Sequence, residues 1–262
     1  MSTIIIYHRD ADGFGAAYCA WKKFGSKAEY YSWQYGEPPK FDICKDNDVY
    51  ILDFSFEREE IEKIHSIAKS LTVLDHHISA KTVLEDLPYC KFSDRAGAVM
   101  AWILFMPGLE IPPLIQYIED RDLWKFDLPN SREVTYGLGS YPFDFKVWDT
   151  LIEGGNASIG QLISDGTAIM RHIDMNVDRL VAINKRDIVI DGHQVKAVNC
   201  PLYQSEIAGK LAEIGTFGVV YYDHGEKRIF SLRSRSDIDV SEIAVKYGGG
   251  GHKQASGFNV PL

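Results

Sequence analysis

The stretch Leu71–Ser79 reads LTVLDHHIS. Four apolar or β-branched residues, Leu71 to Leu74, run straight into Asp75, His76 and His77. A run of that kind suits a strand buried on both faces, and such strands belong to parallel sheets. Aspartate at a strand end often does no more than cap the next helix. Asp-His-His, however, sets three metal-competent side chains at one point. The rest of the N-terminal half repeats the pattern. Ile4–Tyr7 is apolar and stops at His8, with Asp10, Asp12 and Gly13 directly after it, and Val49–Leu52 stops at Asp53. Between the second and third runs, EREEIEKIHSIAKS places Ile61, Ile64 and Ile67 at helical spacing, and Gly13 to about Phe24 carries another helical pattern. Strands alternating with amphipathic helices predict βαβ units. The expected fold class is therefore α/β, with a parallel N-terminal sheet and helices on both faces. The polar residues all fall at the C-terminal ends of the strands, where open α/β sheets bind ligands.

Farther along, Arg95–Met106 and LIQYIEDRDLW read as helices on either side of GLEIPP. Residues 156–184 form one long amphipathic pattern, with Asn156 or Ser158 as its N-cap. Past residue 185 hairpin signals take over, at Asp191-Gly192 and at His224-Gly225. SEIAVKYG reads as a short helix, and GGGGHKQASGF nearly closes the chain. The expected organisation is an N-terminal domain over 1–155, a linker helix over 156–185 and a smaller mixed α/β domain over 186–262.

Composition narrows the function classes. The 262 residues are 45% hydrophobic and 25% charged, as in ordinary globular chains. A formal net charge of −9 gives no global attraction to nucleic acid or to anionic membranes. Cys19, Cys44, Cys90 and Cys200 form no CxxC pair, so neither a thiolate zinc site nor a disulfide framework is expected. The three-isoleucine run near the start is too short for a signal-peptide core, and no stretch approaches a membrane span. The expected setting is the cytoplasm, away from any membrane.

Packing several acids along one sheet edge costs several kcal/mol in repulsion and desolvation unless cations neutralise them. Carboxylates with imidazoles suit manganese, iron, cobalt or zinc. Two such ions bridged by a carboxylate form a common device for in-line displacement at phosphorus. His65, His172, His193 and His224 stand away from strand ends and carboxylates and read as ordinary histidines.

With these residues assembled, the chain resembles the DHH phosphoesterase superfamily. HRDADG corresponds to its first motif, LDF at Asp53 to the second, LDHH to the third and IEDRDLW to the fourth. GGGGHKQASGF resembles the glycine-rich signature of the DHH-associated C-terminal domain. The resemblance implies two divalent metal ions, manganese first among candidates. His8, Asp10 and Asp53 would hold one. Asp12, Asp53, His76 and an aspartate of IEDRD would hold the other. Arg9 alone separates His8 from Asp10, shorter than in some members, so His8 is a ligand or a residue that orients one. In the fourth motif Asp120 and Asp122 are both candidates; Asp120 fits the family spacing better, and Asp122 would then pair with Arg121 or Arg95 or cap a turn. Asp75 would orient the histidine pair, His77 would face the substrate phosphate, and a metal-bridging hydroxide would attack.

Gly249, Gly250, Gly251 and His252 are expected to bring free backbone N–H groups to a phosphate, with Arg233 as a further substrate contact. Arg235 is as well explained by a solvated edge. A short C-terminal unit and an acidic chain point to short substrates, namely oligonucleotides or dinucleotides. Alternatives with the same centre are hydrolysis of cyclic dinucleotides, phosphoadenosine phosphate, pyrophosphate or polyphosphate, or a nucleotide sensor without turnover. A homodimer is compatible with the sequence.

Overall fold

In the computed structural model, which describes residues 2–262, the three apolar runs become neighbouring strands of one sheet. In chain order the N-terminal elements are β1 (Thr3–His8), α1 (Ala11–Phe24), β2 (Ala28–Trp33), α2 (Phe41–Cys44), β3 (Asp48–Leu52), α3 (Arg58–Ile67), β4 (Ser70–Asp75), α4 (Ile78–Leu84) and β5 (Cys90–Phe92). The helices α5 (Gly97–Phe105), α6 (Pro113–Asp122), α7 (Ser131–Leu138), α8 (Phe145–Glu153) and α9 (Gly155–Asn184) follow. The strands are parallel throughout and stand in the order β2-β1-β3-β4-β5. Two cores sandwich the sheet because its strand residues alternate in direction. Ile5, Leu52 and Leu74 face α1, α5 and α6, while Ile4, Ile6, Ile51 and Val73 face Ile61 and Ile64 of α3. The expected α/β class with helices on both faces holds. The chain reverses its direction of travel across the sheet between β1 and β3, which creates a crevice at their C-terminal ends. His8 closes β1 and Asp53 follows β3 at that crevice.

Local chemistry explains several boundaries. Asp10 caps α1 by accepting the Gly13 N–H at 2.9 Å, so Gly13 stands inside the helix rather than in a turn before it. Asp53 caps nothing; Glu57 and Glu60 form the capping box of α3. The strand β2 was not among the expected elements.

The chain divides into two compact units, residues 1–168 and 169–262, with the division within α9. The second unit holds β6 (Arg186–Ile190), β7 (His193–Asn199), α10 (Gln204–Ala212), β8 (Phe217–His224), β9 (Lys227–Ser234), α11 (Val240–Lys246), β10 (Gly250–His252) and β11 (Ala255–Pro261). Its sheet is mixed, in the order β10-β11-β9-β8-β7-β6, with only β7 and β8 parallel. Asp191 and Gly192, both at positive φ, make the expected β6–β7 turn. The second hairpin turns at Gly225-Glu226, one residue later than expected, since His224 pairs with Lys227. Ile207 and Leu211 of α10 cover one face with Val177 and Val181, and Val240 and Ile243 of α11 cover the other. Among the described residues no helix is long and apolar enough to cross a membrane.

Candidate metal centre

The parallel sheet brings His8, Asp10, Asp12, Asp53, Asp75, His76 and His77 to its C-terminal edge. Asp53 and Asp12 are 1% and 2% exposed, and Asp75 is fully buried. The two Asp53 oxygens face different partners. Its Oδ1 lies 3.1 Å from His76 Nε2, and its Oδ2 lies 3.9 Å from His8 Nδ1. His76 Nε2 is also 3.7 Å from Asp12 Oδ2 and 3.3 Å from Asp122 Oδ2, while His8 Nδ1 is 2.9 Å from Asp10 Oδ2. Three triads result: His8, Asp10 and Asp53; Asp12, His76 and Asp122; and Asp53, His76 and His77. Within each, one candidate ligand atom per residue lies within 4.8 Å of the others.

The fourth-motif expectation is corrected here. Asp122, at the last position of α6, joins the cluster, and Asp120 does not. Asp120 is buried with its carboxylate turned to the chain behind it, accepting the N–H groups of Asp127 at 2.8 Å and Leu128 at 3.3 Å. Two positions apart on a helix, the residues face about 200° apart, so only one can reach the sheet edge. Arg95, considered as a partner for Asp122, instead forms a bidentate pair with Glu119 at 2.6 and 2.8 Å.

Several supporting groups had no signature in the motifs. Asp12 accepts the N–H groups of Gly97 at 2.6 Å and Ala98 at 2.9 Å, at the first turn of α5. Position 97 excludes a larger residue, since a Cβ there would lie 2.4 Å from the Asp53 Cβ. Asp53 itself is held at φ 57°, a left-handed conformation costing roughly 1–3 kcal/mol, with its N–H donated to the Leu74 carbonyl. Asp75 Oδ1 accepts the backbone N–H groups of His76 and His77 and lies 2.7 Å from His77 Nδ1. Ser55 donates to its other oxygen. Asp75 thus fixes both histidines through their backbone and the second also through its ring. Tyr35 stands against His8, Phe54 and His77, with ring centroids 5.3, 4.9 and 5.8 Å away.

The electrostatics are those of a site built for cations. Burial first, then the charges of Asp53 and Asp122, push the Asp12 carboxyl well above its ordinary range. Burial and the Asp10 charge do the same to Asp53. Burial also raises Asp122, with His76 opposing. Burial would raise Asp10 and Asp75 too, but the histidines beside them reverse it: His8 holds Asp10 low, and His77 holds Asp75 low. Burial lowers His8, and the Asp10 carboxylate more than offsets this, leaving it above the usual imidazole value.

A divalent cation fits this set on one further observation. His8 Nδ1, Asp53 Oδ1 and His76 Nε2 are all buried without a hydrogen-bond partner. Buried polar atoms are ordinarily satisfied. Three orphaned donor atoms converging with four acids call for positive charge, and their oxygen and imidazole chemistry suits manganese-class ions.

In the second unit the expected substrate residues have local partners. Arg233 donates to the Leu232 carbonyl at 2.9 Å and to Ser205 Oγ at 2.7 Å, and Arg235 pairs with Glu213 at 3.1 Å. The glycine tract is not an open loop: Gly250, Gly251 and His252 form edge strand β10 against β11. Gly251 has φ 138°, and a Cβ there would lie 2.5 Å from the Ala255 carbonyl oxygen. A Cβ at Gly249 would lie 2.2 Å from the Gly257 carbonyl oxygen. His252 is exposed.

A doubly wound parallel sheet carrying clustered acids and histidines at its switch point defines an α/β protein with residues that could hold divalent metal. Comparison with known proteins narrows this. Residues 204–262 match the DHHA1 domain. The chain is 26% identical to the uncharacterized protein R106 of Acanthamoeba polyphaga mimivirus over 97% of its own length and 66% of that protein's. A segment covering 33% of the chain is 38% identical to the oligoribonuclease NrnB of Bacillus subtilis, covering 23% of it. The chain therefore spans just under two thirds of the first relative and about a quarter of the second. RecJ of Thermus thermophilus, solved in complex with Mn2+, shares the fold with a TM-score of 0.55 at 15% identity, over 98% of this chain and 49% of that one. Residues 204–262 are thus a DHHA1 domain, and the chain as a whole shares the fold of RecJ.

Proposed function

We propose that the protein is a two-metal phosphodiesterase that hydrolyses short oligonucleotides or dinucleotides. The observation that carries this reading is Asp53, whose two buried oxygens face separate clusters, with His8 and Asp10 on one side and Asp12, His76 and Asp122 on the other. His8, Asp10 and Asp53 would hold one cation, and Asp53, Asp12, His76 and Asp122 the second. Two divalent ions so held supply Lewis acidity to the phosphoryl oxygens and lower the pKa of an attacking water. Gly97 and Ala98 aim Asp12 through their N–H groups, and Asp75 holds the ring of His77 through Nδ1. With Nδ1 donating to the Asp75 carboxylate, Nε2 of His77 would donate to a phosphate oxygen in the imidazolium form of the ring. His77 is the more exposed of the pair, at 34% against 12% for His76, as a substrate-facing residue should be.

Manganese as the cation is supported by the donor set and by the Mn2+ bound to RecJ. Short substrates are supported by the kinship with an oligoribonuclease and by the chain's acidity, which offers no extended basic track. In the second unit the exposed edge of β10, with His252, would contact the substrate backbone, and Arg233 would act only by leaving Ser205. The test is a panel of di- to decanucleotides, cyclic dinucleotides, phosphoadenosine phosphate, pyrophosphate and polyphosphate, assayed with Mn2+. The reading expects fastest turnover on the shortest linear nucleotides. Preference for decanucleotides, or turnover of pyrophosphate alone, contradicts it.

A further inference from the structure

The metal centre opens on a cavity of about 310 Å³ that plays no part in the reading above. Asp10, Asp12 and Asp122 are among its lining residues, so it adjoins the centre itself. Its floor is apolar: Leu114 and Ile118 of α6 with Val134 and Leu138 of α7, all core side chains 5% exposed or less. Tyr117 and Phe143 give it aromatic edges, and Phe143 is 49% exposed and stacks on Phe14 with centroids 5.0 Å apart. The cation in the lining is Arg121, whose guanidinium carbon lies 4.2 Å from the centroid of the Trp124 ring. Trp124 and Phe126 are both held at positive φ, in a loop fastened by the carboxylate and carbonyl of Asp120. Bulky residues rarely adopt that backbone, so the loop holds strain to keep its aromatic rings beside Arg121.

These features select an occupant. The apolar side chains of the lining offer nothing to a phosphoanhydride chain, which would find only the single guanidinium of Arg121 there. A flat, largely apolar ring bearing a few polar edges finds burial, aromatic edges and a guanidinium that can stack on it or bond it. The floor is core, so a ring can enter but a strand cannot thread through.

We infer that this cavity receives the nucleobase of a terminal nucleotide whose phosphodiester lies at the metal centre, an inference that rests on the proposed activity. It makes the enzyme end-directed and gives it selectivity for nucleotides over bare phosphoanhydrides.

Thr135, half-buried on α7, lines the same cavity, and Thr135→Trp fills it without touching an acid or histidine of the centre. The substrates are a dinucleotide and its two analogues, each with an abasic ribose at one end. The wild-type protein with Mn2+ is expected to lose roughly 10- to 100-fold in kcat/KM on one of the two analogues, the value of one stacked base. In Thr135→Trp the intact dinucleotide should fall to that analogue's level, so that the ratio between them is within about twofold of one. Phe143→Ala, at the exposed rim, should shrink the same ratio to a lesser degree with Mn2+ binding retained. Equal turnover of the intact dinucleotide and both analogues by the wild-type protein would overturn the inference, as would an equal loss on intact and abasic substrates in both variants. A readout without turnover separates this from the activity itself: saturation transfer from protein to the base protons of adenosine, recorded in EDTA. Transfer seen in the wild type and lost in Thr135→Trp upholds the cavity even if no phosphodiester is cleaved, an outcome that would defeat the proposed activity alone. Absence of transfer in the wild type overturns the cavity.

Discussion

Two regions of the molecule are rich in the residues that phosphate chemistry uses, and the structure treats them oppositely. At the end of the parallel sheet, His8 Nδ1, Asp53 Oδ1 and His76 Nε2 are buried and crowd carboxylates and imidazoles without forming a well-aligned hydrogen bond, and Asp53 sits in a costly backbone conformation. In the C-terminal unit, Arg233 and Arg235 are bonded locally, and the close packing of Gly249 and Gly251, with the positive φ of Gly251, serves a strand pair. Orphaned donor atoms and stored strain are costly, so a fold keeps them where something outside the chain will complete them. Local bonds such as those of Arg233 to Leu232 and Ser205 and of Arg235 to Glu213 are explained by folding.

The contrast can be broken most sharply at Asp53. Asp53→Ala should abolish both cation sites and lower Mn2+-dependent hydrolysis by about three orders of magnitude or more, since the one carboxylate that faces both clusters is gone. Retained activity would undo the shared-ligand reading. The fourth motif offers a finer cut. Asp122→Ala should lose one Mn2+ of two and about 100-fold in turnover. Asp120→Asn should keep both ions and instead lower stability by about 1–3 kcal/mol, because the N–H groups of Asp127 and Leu128 lose their charged acceptor. Denaturant melts and Mn2+ stoichiometry on the two variants would separate these roles, and a reversed pattern would restore Asp120 as the ligand.

The histidines should part in the same way. His76→Ala is expected to weaken Mn2+ binding about 10- to 100-fold, and His77→Ala to lower kcat about 100-fold with stoichiometry unchanged.

A smaller effect follows from pH. In the folded, metal-free protein Asp12 and Asp53 hold their protons well above the ordinary carboxylate value of 3.8, so stability contributed by these groups falls as pH rises through their raised values. Asp10 and Asp75, held low, contribute the opposite slope only at acid pH, as pH drops through their depressed values. Mn2+ must displace the protons of Asp12 and Asp53, so its apparent affinity should climb as pH rises above the ordinary carboxylate range, and its binding should release protons. Calorimetry in buffers of different ionisation enthalpy reads this directly, and a flat profile would contradict it. The smallest effects belong to the other side of the comparison. Gly251→Ala should cost the C-terminal unit about 1–3 kcal/mol while Mn2+ binding persists, and Arg235→Ala should change neither property by more than about twofold.

Much of this centre is legible in the sequence, and the part that is not has a physical reason. The strand ends at His8, Asp53 and Asp75 announce themselves because each apolar run stops at a charge. The linear register of IEDRD, in contrast, says nothing about which aspartate points at the sheet; that depends on how α6 is rotated, and spacing alone favours Asp120, whereas Asp122 joins the cluster. Ser55, Gly97 and Ala98 act through one hydroxyl and two backbone N–H groups, which leave no signature in residue type, although a glycine after Arg95-Ala96 could have flagged the close approach to Asp53. The strand β2 is hidden because AEYYSW has a charge at its second position and carries tyrosines toward half-exposed positions, so it lacks the continuous apolar run of its neighbours. In the C-terminal unit the glycines read as an open phosphate nest, whereas a Cβ at Gly249 or Gly251 would clash with the adjoining strand.

The most direct test of the central claim is Mn2+ stoichiometry by anomalous diffraction at the manganese edge, comparing the wild-type protein with Asp53→Ala. The account predicts two ions on either side of Asp53 in the wild type and none at full occupancy in the variant. One ion in the wild type, or two retained without Asp53, would contradict it.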